Sequence, residues 1–457
     1  MVTDFMTEGE FLNTAQWLQH PDITPPQTDL IKNFDGKFIG FGSCFAQNLK
    51  DNVTPLGFEY WYNRDICGHY SAGSLANVLE IVATERGLTD DDLYFVDGQR
   101  DTVLAPAFYF KKWYFGDDAA ERSLVRMREL VIEARIKIQE CSFIAVTLGT
   151  ARVTKLAETG KIMNTLTGVN TKHCTFEMTT AEDNIGDLER VYQYISDIRG
   201  GDVPPIFLTI SPQRYLFGKK IVVQDKNHKG PVRDPFVDNM LAKSILRVAA
   251  EEFTLRHPET VQYFPSYELV IDEMRGTEPM SHYNFTHIEQ VHTVQRVVKK
   301  FLLSNCSNAV IEQLNLMEEL KRAVDYISEL FGGGISMDHH IVVDLFEEQV
   351  SRFEQLDQKL SPVVIKEFEK LWEFFIVGHD TLGTLDEKIK LLRAYQVRPP
   401  EMTERLRKLL ERASRLVSRN IDAEPADAKT RLEQFAELKR LDMFSDADPV
   451  GRFWGPR

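Results

Sequence analysis

Nowhere in the 457-residue chain does an apolar run approach the roughly 20 residues that a bilayer-spanning helix needs. Basic residues are in short supply: 54 Lys and Arg stand against 69 Asp and Glu, a net charge of −15. That deficit argues against general binding to nucleic acid or to an anionic membrane, since both are led by phosphate neutralisation. Cysteines number five (Cys44, Cys67, Cys141, Cys174 and Cys306), an odd count with no C-x-x-C pair. That excludes a disulfide framework and a zinc ribbon and fits a reducing, cytoplasmic setting. The opening residues 1–30 carry acids where a secretory signal needs a basic and then an apolar region. No G-x-x-x-x-G-K-[ST] occurs, and Gly40-Phe41-Gly42 begins like a dinucleotide fingerprint but has Phe45 in the third glycine's place, so no nucleotide cofactor is expected. His339-His340 with Asp344 offers helical spacing for a metal but no third ligand, so no metal is expected either.

What is present is alternation. Residues 1–35 read as a polar lead-in, with one short helix at Gly9–His20 ended before Pro25-Pro26. From Lys37 onward, apolar runs of strand length alternate with helical periodicity. The strands are Lys37–Phe41, Ser142–Leu148, Pro205–Ile210 and Val261–Pro265. The helices are Phe45–Val53, Ser74–Arg86, Ala119–Glu140, Ala181–Arg199, Asn239–Leu255 and His287–Leu303. Continuous apolar strands separated by helices predict a mostly parallel sheet covered on both faces, over residues 36–305. Residues 306–457 are rich in Glu, Leu, Lys and Arg, with no convincing strand and breaks at Gly332–Gly334, His379–Gly383, Pro399-Pro400 and Ala423–Ala426. They predict an all-α region of about five helices. Wide apolar stripes there, such as Val342, Leu345, Phe346, Val350 and Phe353, would suit a homo-oligomer contact.

The most informative stretch is FIGFGSCFAQNL at 38–49. A buried strand runs straight into Gly42-Ser43-Cys44 and then a helix. The carboxyl edge of the first strand is where open α/β sheets bind ligands. A helix N-terminus favours a thiolate or an oxyanion. The pattern also fits a plain strand–loop–helix corner with a buried cysteine.

These residues resemble the GSCFA domain family, which belongs with the SGNH (GDSL-like) hydrolase superfamily. GSCFA stands at 42–46, and four further blocks follow in family order: TLGTARV at 147–153, LTISPQR at 208–214, LAKSILRVAAEEF at 241–253 and YFPSYELVIDEMR at 263–275. The resemblance covers roughly residues 35–300. It implies a three-layer flavodoxin-like α/β sandwich, followed here by the all-α C-terminal region.

It also implies site residues. Aligned by strand end, the superfamily's G-D-S falls on Gly42-Ser43-Cys44 and gives the nucleophile position to Cys44; a one-residue shift gives it to Ser43. The D-x-x-H element corresponds to Asn284-Phe285-Thr286-His287, which makes His287 the general base and Asn284 its orienting partner. An amide in place of the carboxylate suits a thiol nucleophile better than a hydroxyl, as in Cys-His-Asn proteases. Asp272, Glu273 or Glu289 would be nearby sources of a carboxylate. Where the superfamily reads G-x-N-D, this chain reads Gly149-Thr150-Ala151-Arg152, so Ala151 stands in the oxyanion asparagine's place. Arg152 or the N–H groups near Thr150 would substitute, unless Arg152 is simply a surface arginine. The second-block glycine is Gly68 or Gly73. Ser211 and Arg214 would face the same crevice. Lys243 and Ser244 read as structural. Lys226, His228, Lys229 and Arg233 form a charged loop that is either solvated or meets an anion. The aromatic stretches Tyr60–Tyr62 and Phe108–Phe115 read as loops, with Trp113 or Tyr114 as binding candidates.

The expected function is an esterase or O-acyltransferase acting on an acyl ester of a glycan through a covalent acyl-enzyme. No cofactor is needed beyond acyl-CoA as a donor if the enzyme is a transferase. The alternative is a catalytically degenerate ligand-binding or scaffolding module whose helical region binds a protein partner.

Overall fold

The computed structural model describes residues 22–84, 86–95, 102–108, 114–164, 173–216, 234–275, 280, 292–332, 361–364 and 366. The chain divides into two compact units, Met1–Ser307 and Asn308–Arg457.

The first unit is built on a five-stranded sheet. Its strands are β1 (Lys37–Gly42), β2 (Glu59–Trp61), β3 (Phe143–Leu148), β4 (Ile206–Ile210) and β5 (Val261–Phe264), in the order β2-β1-β3-β4-β5. Every neighbouring pair is parallel. This is the flavodoxin-like order, and its topological switch point lies between β1 and β3. The longer helices described in this unit are α1 (Cys44–Val53), α2 (Ala72–Thr84), α3 (Ala119–Glu140), α4 (Ala181–Arg199), α5 (Pro235–Arg256) and α6 (His292–Asn305). Helices α2 to α5 contact one another, and α1 contacts α6. The sheet is thereby covered by two helical layers, which is why all six residues of β3 and all five of β4 are buried.

Phe301 on α6 fills one face. Its ring meets Phe38, Phe207 and Phe264 edge-on at 6.5, 5.1 and 5.2 Å. Helix ends follow local chemistry. Thr180 and Asp183 form a capping box at the start of α4, and Gly200 ends it at φ 68°.

The predicted helices over Ala119–Glu140 and Ala181–Arg199 are found with those bounds. The largest difference is at the sheet edge: the aromatic run Tyr60-Trp61, expected in a loop, is the edge strand β2. Three residues are too short for a periodicity signal, and pairing with β1 alone makes them a strand. Two small antiparallel sheets are likewise added, Tyr94–Phe95 with Thr102–Leu104 and Tyr114–Phe115, and Arg152–Leu156 with Ile162–Met163 and Cys174–Met178. The end of the lead-in is part of the core rather than a polar tail. Ile31 is fully buried and bridges Cys306. The helix expected at Gly9–His20 lies outside the described residues.

In the second unit, α7 spans Asn308–Gly332, and Ser361 N–H donates to Gln313 Oε1 at 2.8 Å. The other helices expected in this region, and His339-His340 with Asp344, lie outside the described residues. Among the described residues no helix is long and apolar enough to cross a membrane, and no cluster suits a metal ion.

Candidate functional site

The site forms at the switch point. Gly42 ends β1 at φ 129°, a conformation that side chains disfavour. Ser43 follows as the N-cap of α1: its N–H donates to Thr147 O on β3 at 3.2 Å, and its Oγ accepts from Phe45 N–H at 3.4 Å. The cap buries Ser43 completely. Cys44 is the first residue of α1 and is half-buried, whereas Cys67, Cys141, Cys174 and Cys306 are buried. Among the described residues the Cys44 N–H has no acceptor, as the first turn of a helix leaves it.

Three tyrosines surround the thiol. The Tyr70 hydroxyl lies 3.9 Å from Cys44 Sγ. Tyr62 donates to Gly42 O at 3.4 Å. The Tyr215 ring meets the Tyr70 ring edge-on at 5.0 Å, and its buried hydroxyl lies beside Ser43. Burial, with the neighbouring thiol and phenols, pushes the Tyr62 and Tyr215 hydroxyls far above their ordinary range. Both stay protonated at neutral pH.

The loop after β3 is tied down by backbone hydrogen bonds. Gly149 and Thr150 N–H both donate to Tyr70 O, at 2.8 and 2.9 Å, and Arg152 N–H donates to Thr150 Oγ1 at 3.0 Å. Ala151 is fully buried. The N–H groups expected near an oxyanion are thus held on the Tyr70 carbonyl. Arg152 is not a surface residue. Its guanidinium pairs with Asp238 on α5 through Nε at 2.8 Å and Nη2 at 2.5 Å, with both side chains nearly buried. Arg152→Ala would strand a buried carboxylate and destabilise the fold by roughly 3–5 kcal/mol, which urea denaturation would measure.

Ser211, expected to line the crevice, is fully buried and presents its carbonyl to Lys243. The Arg214 guanidinium lies over the Phe236 ring at 5.9 Å. Glu273 is buried in ion pairs with Arg296 and Lys300, and Asp272 pairs with Arg275. Both carboxylates are thus held by bases of their own neighbourhood. Gly68 and Gly73 are packed against Arg64 and against Asp187 with Ile162, respectively; it is Tyr70, between them, that reaches the thiol. His287, Asn284, Glu289, Trp113 and the Lys226–Arg233 loop lie outside the described residues. Tyr114 sits in a small strand opposite Val103.

The GSCFA family model matches residues 37–301. The chain belongs to the GSCFA family. The matched span covers all five strands and all of α1 to α5, so the GSCFA region and the switch-point site coincide. No curated protein and no solved structure matches the chain.

One histidine of the GSCFA region sits next to the site yet belongs to the core. His69 is buried, with Nε2–H donating to Ile66 O at 2.9 Å and Nδ1 3.3 Å from Ser74 Oγ. Burial lowers its pKa to about 4, while the unfolded chain takes up the same proton near 6.5. The stability that neutral His69 contributes is complete above about pH 6.5 and is lost as the pH falls toward about 4. Denaturation midpoints between those limits should fall in the parent protein and fall less steeply in His69→Gln.

A cavity of about 1000 Å³ opens elsewhere, along the edge strand β5, lined by Ile23, Pro26, Leu255, Val261 and Tyr263 among others. It holds none of the residues around Cys44.

Proposed function

We propose that this GSCFA protein is an SGNH-like esterase or O-acyltransferase that uses Cys44 as a covalent nucleophile on an acyl ester of a carbohydrate. The observation that carries the reading is the setting of Cys44: a half-buried thiol at the first turn of a helix, at the switch point of a flavodoxin-order sheet, with its own N–H unengaged and a tyrosine hydroxyl at 3.9 Å. Of the two candidate nucleophiles, buried and capping Ser43 has no face to offer a substrate; Cys44 has.

In this reading the thiolate attacks the ester carbonyl, so a C–S bond forms as the carbonyl π bond opens. The oxyanion meets the Cys44 N–H, at the positive end of α1, and the Tyr70 hydroxyl. His287, oriented by Asn284, takes the Cys44 thiol proton as the thiolate forms; collapse breaks the C–O bond, and His287 returns that proton to the leaving alkoxide. Water or an acceptor hydroxyl then releases the acyl group from the thioester. The carbohydrate substrate is carried by analogy with related SGNH families rather than by any residue here.

The buried Ala151 and the Gly149 and Thr150 N–H groups held on Tyr70 O favour one alternative, a binding module that has lost part of the oxyanion hole. Labelling with an activated acyl ester, read by intact mass and peptide mapping, separates the two. A thioester on Cys44 that depends on His287 supports catalysis. Thermal stabilisation by glycans with no adduct supports the binding module.

A further inference from the structure

Helix α5 turns polar side chains toward the sheet. Asp238, Asn239 and Lys243 are all buried, while Val237, Met240 and Val248 on the same helix are exposed. Each buried group ties down a strand-end loop. Asp238 holds Arg152, and Asn239 Oδ1 accepts from Tyr215 N–H at 2.9 Å. Lys243 Nζ donates to Gly149 O and to Ser211 O, both at 2.6 Å, and lies 5.4 Å from the centre of the Tyr215 ring. It thereby joins the carboxyl ends of β3 and β4.

The Gly149 peptide has two sides. Its carbonyl is held by Lys243, and its N–H, with that of Thr150, is held on the carbonyl of Tyr70, whose hydroxyl stands against Cys44 Sγ. We propose that Lys243 is a positioning residue for Cys44, acting through Gly149 and Tyr70 to keep the Tyr70 hydroxyl against the thiol. Burial draws the lysine down to about pH 7, and both its ammonium and its neutral amine retain the two N–H groups that the two carbonyls require. A lysine this deep is costly. A helix that served only packing would place an apolar residue there, as α5 does at Leu246 and Ala249.

The proposal rests on Cys44 as the reactive group but not on acyl turnover, so its test reads the thiol itself. Iodoacetamide alkylation of Cys44 would be followed by peptide mass from about pH 6 to about pH 10, spanning the ordinary thiol range, in the parent protein, Lys243→Met, Tyr70→Phe and the double variant. Thermal melts would confirm folding. Each single variant should alkylate about tenfold more slowly near neutral pH, the scale of one lost hydrogen bond to a charged group, with the profile moved to higher pH. The double variant should be no slower than Tyr70→Phe, because the lysine acts through the tyrosine. A structural lysine would lower the melting temperature and leave the profile in place. A profile unchanged in Lys243→Met, or a further tenfold loss in the double variant, overturns the proposal. If Lys243→Met fails to fold, Lys243→Gln carries the same cycle with an amide donor. An unchanged profile in Tyr70→Phe overturns the proposal by itself.

Discussion

Cys44→Ala is expected to abolish the covalent acyl adduct and to reduce turnover by a factor on the order of 10⁶, the scale seen when a covalent nucleophile is removed. Cys44 holds the one thiol of five that is half-buried rather than buried. It stands at the first turn of α1, where its N–H is available for an oxyanion. Neither Ser43 nor Cys67 offers a replacement. Ser43 is fully buried and its oxygen serves the Phe45 N–H; Cys67 is buried and its thiol is pushed far up by desolvation. Ser43→Ala should therefore keep the adduct and cost only about 1 kcal/mol of stability, the ordinary penalty for a lost N-cap. The measurement is acyl-ester labelling with peptide mapping across the three proteins. An adduct that persists in Cys44→Ala and disappears in Ser43→Ala would transfer the nucleophile to Ser43.

Gly42→Ala is expected to disrupt the joint between β1 and β3. The added Cβ would overlap the carbonyl oxygen of Thr147 and stand 2.8 Å from that residue's carbonyl carbon and nitrogen. These are backbone atoms of the central strand β3, paired in register with β1, and they have no rotamer to yield. The backbone at φ 129° adds strain of its own. The loss should exceed about 4 kcal/mol, in the range reserved for severe steric defects, and should appear as insoluble or non-cooperative protein. Gly200→Ala separates the two causes. Gly200 also has a positive φ, 68°, but no atom within 4 Å of the added Cβ, so it should cost only roughly 1–2 kcal/mol. A Gly42→Ala protein that melts like the parent would mean that β1 and β3 can part at the switch point.

Much of the fold was legible because burial on both faces leaves a plain trace. The strand runs around Phe38, Ile144 and Phe207 are apolar without interruption, and α3 and α4 repeat their apolar residues at helical steps. Glu59–Trp61 escaped because three residues carry no period. In α5 the helical period is there, yet buried and exposed sides depart from polarity. Asp238 and Lys243 face inward because strand-end carbonyls and Arg152 need partners, which no amphipathic pattern announces.

The candidate site divides in the same way. Gly42, Ser43 and Cys44 were legible because a glycine turn between strand and helix is local chemistry. Tyr62, Tyr70, Tyr215 and Lys243 were not, since they lie apart from Cys44 in sequence, and the parallel pairing of β2, β1, β3 and β4 brings them to one edge.

The sequence by itself determined the alternation of strands and helices, the turn that places a thiol at a helix start, and the family to which those blocks belong. Tertiary structure decided which side chains the thiol meets. It turned Arg152 from a candidate oxyanion donor into the buried partner of Asp238, and Lys243 from a helix residue into the clasp between two strand ends. The reason is physical. Chain connectivity fixes what is near in sequence, while hydrogen-bond satisfaction in a dry interior fixes what must meet across it.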